Sequence, residues 1–269
     1  MCTLVVAARV VPGFSLVIVA NRDEQRDRAS SPPFLWPGDP SFIAPRDDVA
    51  GGTWLGLNEA GVFVAITNRF LGPRDGSRTS RGQLVVDALR KRSAREIHTA
   101  MSELDPARYN GFHLVYADDR EVLATVSDGV VFAQLSLGDG VSIVTERSFG
   151  AGNRGDDDRR RVEKIRSGWS KLTQGGPSFD PARATTLLTE HDATDPLGAT
   201  CIHLDELRYG TRSSLVLSIP DEAAPPATVP PARAGARARM LWAEGPPCTT
   251  PFVELGLESM RSAGPAKSG

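Results

Sequence analysis

Cysteine and histidine are scarce in this sequence, and their spacing argues against a fold held by disulfides or metal. The chain of 269 residues contains 3 cysteines and 4 histidines. The cysteines are odd in number and unrelated in spacing, and the histidines form no ligand pattern. Disulfide bonds and a structural metal are therefore disfavoured, and no cofactor is predicted. The residues concerned are Cys2, Cys201, Cys248, His98, His113, His191 and His203.

The sequence also lacks a strong charge of one sign and any long apolar run. Lys and Arg total 31 against 33 Asp and Glu, a net charge of -2, so a nucleic-acid partner is not expected. No apolar stretch approaches the roughly 20 residues of a membrane span. The N-terminus has no basic region before its first apolar run. We expect a cytoplasmic protein without a membrane span, and the oligomeric state stays open.

The composition is that of a globular chain, with 40% hydrophobic and 24% charged residues. A chain of this length can bury one large core, so a single domain is predicted over residues 1–256. Within it, residues 220–236 are dominated by Pro and Ala and are expected to form an extended loop. Residues 257–269 are predicted to be a disordered tail.

The N-terminal two dozen residues form the most informative segment. An apolar run to Arg9, a turn around Pro12 and Gly13, and a second apolar run predict a β-hairpin. Antiparallel pairing around this turn requires the residue numbers of each opposed pair to sum to about twenty-five. Cys2 then lies opposite Asp23. Arg22 and Asn21 then lie beside it. A one-residue error in the turn would change the partner and keep the polar cluster.

Cys2 has a chemical option that follows from its position. Removal of the initiator methionine, common before a small side chain, would leave Cys2 with a free α-amino group beside its thiol. The reference pKa of an α-amino group is about 7.7–8.0, and that of a cysteine thiol is about 8.5. Near neutral pH the amine of Cys2 could therefore act as the base and its thiol as the nucleophile. The simpler interpretation is that Cys2 is a small apolar residue that begins a strand. The facing polar cluster favours the catalytic interpretation.

Several short motifs occur in a fixed order along the chain. They are Met1-Cys2-Thr3, Asn21-Arg22-Asp23-Glu24, Gly51-Gly52-Thr53-Trp54-Leu55-Gly56, Thr67-Asn68, Arg81-Gly82, Tyr109-Asn110-Gly111-Phe112 and Tyr209-Gly210-Thr211-Arg212. In this order they resemble the NRDE family, also called the transport and Golgi organisation protein 2 family. The resemblance covers residue 1 to about 220.

This resemblance implies a fold and a set of site residues. The family is similar to the cysteine N-terminal nucleophile hydrolases, which implies an α+β fold, a four-layer αββα sandwich of two antiparallel sheets flanked by helices. It implies that Cys2 is the nucleophile and that Asn68 and Asn153 bind the oxyanion, a task that suits an amide because it does not titrate. Asp23 would orient the amine.

The arginines near this cluster have two candidate roles. Arg22 or Arg212 would lower the pKa of the Cys2 thiol or hold an anionic substrate group through the planar guanidinium. Asn21 is grouped with them as a substrate-binding residue. A surface arginine at the entry of a strand is the simpler interpretation of Arg212.

The rest of the chain is predicted to be scaffold. Residues 26–45 are expected to be a loop anchored by aromatic residues, with a lid over the site as the minority alternative. Capping boxes at Ser80 and Ser93 predict two helices. Short turns predict an antiparallel meander over 111–145. Further predictions are a helix from Asp156 to about Leu172 whose charges are solvated, a helix from Asp180 to Glu190, strands at 201–204 and 215–219, and an edge strand at 240–243.

Two functions remain open from the sequence. One is a hydrolase or acyltransferase that acts on a non-peptide amide or thioester through Cys2. The other is a binder that holds haem or an acyl lipid, such as an acyl-CoA, in the same pocket without turnover. The resemblance implies handling of acyl lipids or haem in the cell. No axial-ligand pattern supports haem specifically.

Overall fold

The computed structural model describes residues 2–69, 71–149, 155–174, 179–221 and 238–256. Its strands are β1 (Cys2–Val11), β2 (Phe14–Gln25), β3 (Ser30–Trp36), β4 (Phe42–Asp47), β5 (Leu55–Asn58), β6 (Phe63–Asn68), β7 (Phe112–Ala117), β8 (Val122–Ser127), β9 (Phe132–Ser136), β10 (Gly140–Val144), β11 (His203–Leu204), β12 (Tyr209–Pro220), β13 (Arg239–Ala243) and β14 (Val253–Leu255). Its helices are α1 (Arg81–Leu89), α2 (Ala94–Ser102) and α3 (Asp156–Thr173), with 3-10 helices at Pro106–Arg108, Pro181–Leu187 and Asp205–Leu207.

Two antiparallel sheets of seven strands pack face to face. The first sheet has the order β10-β1-β2-β12-β13-β14, with β11 paired to β12, and the second has the order β3-β4-β5-β6-β7-β8-β9. Side chains alternate across each strand, so Leu4 and Val6 of β1 pack between the sheets while Val5 packs against the helices. This arrangement buries both faces of the central strands.

Helices cover the outer face of each sheet. Helices α1 and α2 pack on the second sheet through apolar residues such as Leu84 and Ile97. Helix α3 and the 3-10 helix at Pro181–Leu187 pack on the first sheet through Ile165 and Trp169 among others. The predicted four-layer αββα sandwich is therefore confirmed.

The two predicted capping boxes begin helices α1 and α2. The Ser80 hydroxyl accepts a hydrogen bond from the Gly82 amide, and the Ser93 hydroxyl accepts one from the Glu96 amide. These bonds satisfy amide groups that have no partner inside the helix.

The prediction of a loop over residues 26–45 was wrong, because β3 and β4 form a hairpin there. Pro32 and Pro33 argued against a strand, since proline cannot donate to a sheet. However, β3 lies at the edge of its sheet, and its pairing with β4 shifts between Ser31 and Phe34. Prolines are tolerated at such an irregular edge.

The predicted meander over 111–145 is correct for β7, β8 and β9 and wrong for β10. Strand β10 leaves the second sheet and pairs with β1 in the first, with Leu4 opposite Val144. Gly138 and Gly140, with φ of 65° and 125°, flank the bend. The predicted edge strand at 240–243 is also not an edge, because β14 pairs outside it.

Three remaining expectations concern the last elements and the membrane. The predicted helix after Asp180 is a 3-10 helix over Pro181–Leu187. The tail at 257–269 lies outside the described residues, and so does the Pro and Ala rich loop at 220–236 apart from Pro220 and Asp221. Within the described part of the chain, no helix is long and apolar enough to cross a bilayer.

Candidate active site

The N-terminal hairpin pairs Cys2 with Arg22, one residue away from the predicted partner Asp23. At the turn, Val11 lies opposite Phe14, so the residue numbers of this pair sum to twenty-five, as predicted. The register shifts between Ala8 and Val11, where Arg9 adopts a positive φ of 53°. Such a bulge adds one unpaired residue to its strand and moves every later pair by one.

This register decides which side chains share a face with Cys2. Cys2 and Arg22 lie on the face that packs between the sheets, in line with Leu4 and Ala20. Asn21 and Asp23 lie on the opposite face of β2. The carbonyl of Asp23 still connects the two faces, because it lies 4.0 Å from the Cys2 sulfur and accepts a hydrogen bond of 3.0 Å from the Tyr209 hydroxyl.

Arg22 is a buried cation directly beside the Cys2 thiol. Its guanidinium lies 4.1 Å from the centre of the Trp54 ring and 3.8 Å from the Glu24 carboxylate. Among the described residues its Nη1 atom has no hydrogen-bond partner although it is buried. Burial lowers the pKa of Arg22, and the neighbouring Cys2 and Glu24 oppose this effect. The unused donor is therefore available to a bound anionic group.

Asp23 is a buried carboxylate held by a hydroxyl from β12. The Thr211 hydroxyl donates to Asp23 Oδ1 at 2.6 Å and accepts from the Ile202 amide at 2.8 Å. Burial raises the pKa of Asp23, while the positive charges of the amino terminus and Arg161 lower it. A carboxylate in this position suits the predicted role of orienting an N-terminal ammonium.

The structure reveals a buried ion pair that the sequence interpretation missed. Arg161 of α3 is fully buried, lies 3.8 Å from the Glu146 carboxylate, and donates through Nε to the Leu197 carbonyl at 3.1 Å. Burial raises the pKa of Glu146, and Arg161 opposes this. The prediction that the charges of this helix are solvated was therefore wrong for Arg161 and for Asp158.

A helical spacing could have revealed this pair. Val162, Ile165 and Trp169 define the stripe of α3 that faces the sheet. Asp158 and Arg161 extend the same stripe by one turn toward the N-terminus, since residues three and four apart share a face. Two charged residues on an apolar stripe predict a buried ionic cluster.

A cavity of about 430 Å³ lies beside this cluster and is rich in arginine. It is lined on one side by Asn68, Glu146 and Tyr209. The cations at its wall are Arg69, Arg74, Arg78 and Arg81. Burial lowers the pKa of Arg81 to about 10, with Arg74 acting in the same direction and Cys2 and Glu24 opposing it. The cavity therefore carries four arginines against the three carboxylates of Asp75, Asp128 and Glu146, and Arg81 lies close enough to the Cys2 thiol for their charges to interact.

The other candidate residues lie in different places. Asn21 donates to the carbonyls of Leu188 and Thr200 at 3.2 and 2.7 Å and accepts from Ser214 at 2.6 Å. These contacts use its amide to join the sheet to the outer layer. Arg212 lines a second cavity of about 340 Å³ together with Arg26 and His203. Asn153 lies outside the described residues.

Two chemical expectations are corrected by the structure. Arg22 or Arg212 was expected to depress the pKa of the Cys2 thiol, but burial raises this pKa, and the opposing charges of the amino terminus and Arg22 are smaller causes. The cysteines and histidines were expected to form no ligand set. Instead, Cys201, His203 and Cys248 meet, with their ligand atoms within 4.8 Å of one another.

Solved structures of two hydrolases have a similar fold. An N-acylethanolamine-hydrolyzing acid amidase ortholog from Caenorhabditis elegans has a TM-score of 0.56 and 12% identity, covering 88% of this chain and 98% of that one. A variant of the conjugated bile acid hydrolase from Clostridium perfringens has a TM-score of 0.60 and 10% identity, covering 96% and 93%. At such identities the likeness concerns fold alone. This fold is similar to that of the N-terminal nucleophile hydrolases.

The family of the chain follows from the sequence comparisons. The model of the family "Transport and Golgi organisation 2" matches residues 1–224, and the chain belongs to this family. The human Transport and Golgi organization protein 2 homolog is 29% identical over 170 residues, and the bovine homolog is 31% identical over 109. These matches cover 62% and 39% of this chain. The chain spans 57% of the length of the human protein and 39% of the bovine one.

Proposed function

We propose that this protein is an N-terminal nucleophile hydrolase or acyltransferase that acts through Cys2 on a non-peptide amide or thioester. The observation that carries the proposal is the position of Cys2 at the first residue of β1. There its thiol lies beside buried Arg22 and 4.0 Å from the backbone carbonyl of Asp23, and the buried Asp23 carboxylate is close enough to the amino terminus for that charge to lower its pKa. A free amino group on Cys2 would then share one site with a nucleophile, an orienting carboxylate and a cation.

The proposed reaction uses the amine of Cys2 as the base. The thiol proton passes to this amine while the sulfur attacks the carbonyl carbon, and the carbonyl electron pair moves to the oxygen. When the tetrahedral intermediate collapses, the bond to the leaving nitrogen or sulfur breaks and the amine returns the proton to that atom. Water or an acceptor nucleophile then gives its proton to the amine and attacks the acyl-cysteine thioester. The bond between the acyl carbon and the Cys2 sulfur breaks, the amine returns the proton to that sulfur, and the acyl group leaves on the water or acceptor oxygen, nitrogen or sulfur.

The raised pKa of the Cys2 thiol agrees with this order of events. A buried thiol that is protonated at rest needs a base at the moment of attack, and an amine with a reference pKa of about 7.7–8.0 suits that task near neutral pH. Asn68 lies at the end of β6 on the cavity wall and is the described candidate for an oxyanion donor. Asn153 is proposed for the same task on the family resemblance.

The names of the two structural neighbours support the reaction class. One describes the hydrolysis of N-acylethanolamines and the other the hydrolysis of conjugated bile acids. The four arginines on the cavity wall add a feature of this chain. They favour a substrate with a phosphate or carboxylate group, because guanidinium groups bind such groups through paired hydrogen bonds.

Removal of Met1 is the first expected result. The single-residue mechanism requires a free amine on Cys2, so protein made in cells with active methionine aminopeptidase should have the mass of the chain without Met1. Intact-mass spectrometry measures this directly. Full retention of Met1 in active protein would exclude the amine of Cys2 as the base, although the thiol could still act with another base.

The arginines that line the cavity lead to a second prediction. Arg81→Met should raise KM for an acyl thioester that carries a phosphate by about tenfold to 100-fold, because a charged hydrogen bond contributes about 1.5–3 kcal/mol. Steady-state kinetics with charged and neutral substrates of equal acyl length measure the effect.

The neutral substrate serves as an internal control for the structural role of Arg81, which donates to the Gly111 carbonyl at 2.8 Å. Arg92→Met is a matched surface control, because Arg92 is paired with Asp39 and neither residue lines this cavity. An equal loss with both substrates would contradict a role for Arg81 in recognising the anion.

A further inference from the structure

Three potential metal ligands converge at the end of the first sheet, outside the lining of the arginine-rich cavity. Cys201 is buried and lies two residues before His203, the first residue of β11. Cys248 comes from the loop between β13 and β14. The His203 Nε2 atom lies 3.4 Å from the Cys201 sulfur and 3.1 Å from the Cys248 sulfur.

These separations are close to those of ligands on one zinc ion. Zinc binds thiolate sulfur at about 2.3 Å and imidazole nitrogen at about 2.0–2.1 Å, usually in a tetrahedron. Two such ligands at the tetrahedral angle lie about 3.6 Å apart, which a shift of a few tenths of an ångström achieves here. Cys201 and His203 can face the same ion because alternate residues of an extended segment share one face.

We propose that Cys201, His203 and Cys248 bind one Zn²⁺ ion. On binding, the two thiols lose their protons to solvent, so the two thiolates balance the charge of the ion, and neutral imidazole is the third ligand. A water molecule completes the tetrahedron. The second cavity, which is lined by His203, Glu244 and Arg212, provides a route from solvent to the ion.

A disulfide between Cys201 and Cys248 is the competing use of the same residues. A disulfide would bring the sulfurs to about 2.03–2.05 Å and would not use the imidazole. In the structure both cysteines are free, and the His203 nitrogen contacts both sulfurs. Three potential ligand atoms therefore face one another, and His203 and Cys248 are 45 residues apart in sequence. This arrangement fits a shared metal ion better than a disulfide, which would use only the two sulfurs.

The proposed ion would also hold part of the Cys2 region in place. It joins the 201–203 segment to the loop at Cys248, and the Ile202 amide within that segment donates to the Thr211 hydroxyl. The same hydroxyl donates to Asp23. A metal at this position therefore stabilises the strand that presents Thr211 to the carboxylate.

Metal content and cobalt substitution test the proposal. Full-length protein purified under reducing conditions without chelator should contain about one zinc per chain by elemental mass spectrometry. After exchange, Co²⁺ should give the visible bands of a tetrahedral site and a thiolate-to-cobalt charge-transfer band. Cys248→Ser and His203→Gln should each weaken zinc binding by about 100-fold or more in competition with a chromophoric chelator, since even the loss of an outer partner costs 10–100-fold.

Variants at a distant cysteine and a distant histidine separate this site from adventitious binding. Cys2→Ala and His98→Gln should keep the zinc and the cobalt spectrum. A chelator should lower the melting temperature of the wild type and leave that of Cys248→Ser unchanged, because a ligand stabilises only the state that binds it.

Three results would overturn the proposal. They are wild-type protein without zinc that also fails to take up Co²⁺, a cobalt spectrum without thiolate charge transfer, and a Cys201–Cys248 disulfide in protein kept reduced throughout. Because none of these readouts uses turnover, failure of the zinc site leaves the proposed role of Cys2 untouched.

Discussion

Cys2→Ala should abolish turnover of short acyl amides and thioesters, with a loss of at least about 10³-fold, while the melting temperature stays almost unchanged. Loss of a nucleophile removes the covalent pathway and leaves only the residual contribution of binding and oxyanion donors. Alanine is also small, so Met1 is still removed, and the variant changes only the thiol. Burst and steady-state kinetics on a panel of acyl substrates measure the effect.

Alkylation of Cys2 provides a readout that needs no substrate. Because burial raises the pKa of this thiol, its reaction with iodoacetamide should increase with pH over a range above the usual value of about 8.5. Cys201 is fully buried whereas Cys2 is partly exposed, so the reagent should reach Cys2 first and modify it faster than Cys201, as peptide mass spectrometry would show.

A binder predicts the opposite pattern for the Cys2→Ala variant. Removal of one thiol deletes little contact area, so affinity for haem or an acyl lipid would change only a few-fold. Unchanged turnover in Cys2→Ala, or turnover absent from the wild type together with tight ligand binding, would contradict the proposed enzyme and favour that alternative.

Arg161→Met should lower the free energy of unfolding by about 3–5 kcal/mol. Arg161 is fully buried and pairs with Glu146, which is itself buried. Removal of one member of such a pair leaves an uncompensated charge in the interior, and that desolvation cost dominates. Denaturant titration at neutral pH measures the change.

The neighbouring residue provides the matched control. Arg160→Met changes the same residue type on the same helix, but Arg160 is half exposed and pairs with Asp195 at the surface. Its loss should cost only about 0–1 kcal/mol. The double variant Arg161→Met, Glu146→Gln should recover part of the lost stability, because it removes the stranded charge. Equal effects at positions 160 and 161 would show that burial of Arg161 is not energetically important.

Local patterns in the sequence predicted much of the scaffold. Ser80 and Ser93 marked the starts of α1 and α2 because capping depends on residues within one turn. Alternating strands and short turns predicted antiparallel pairing, and the motifs identified the family, whose resemblance implied two sheets. Local patterns failed where the sheet context decided the outcome. Pro32 and Pro33 are accommodated only because β3 lies at an edge.

The candidate site was predicted less completely than the scaffold. Cys2 and Arg22 were placed together, but the bulge at Arg9 made Arg22 rather than Asp23 the direct partner. Arg81 and Tyr209 were noted only as parts of motifs, and the cavity they line with Glu146 was not foreseen. Such a cavity is formed by loops from both sheets, and their distances in space do not follow from their spacing in sequence.

The sequence by itself determined the N-terminal hairpin, the starts of α1 and α2, and a cysteine at the first residue of a strand. Each of these depends on interactions within a few residues, such as caps, turns and side-chain alternation. Only the tertiary structure decided that Arg161 is buried against Glu146 and that Cys201, His203 and Cys248 meet. Those features depend on contacts between distant segments, which form when the apolar faces of the two sheets and their helices are buried together.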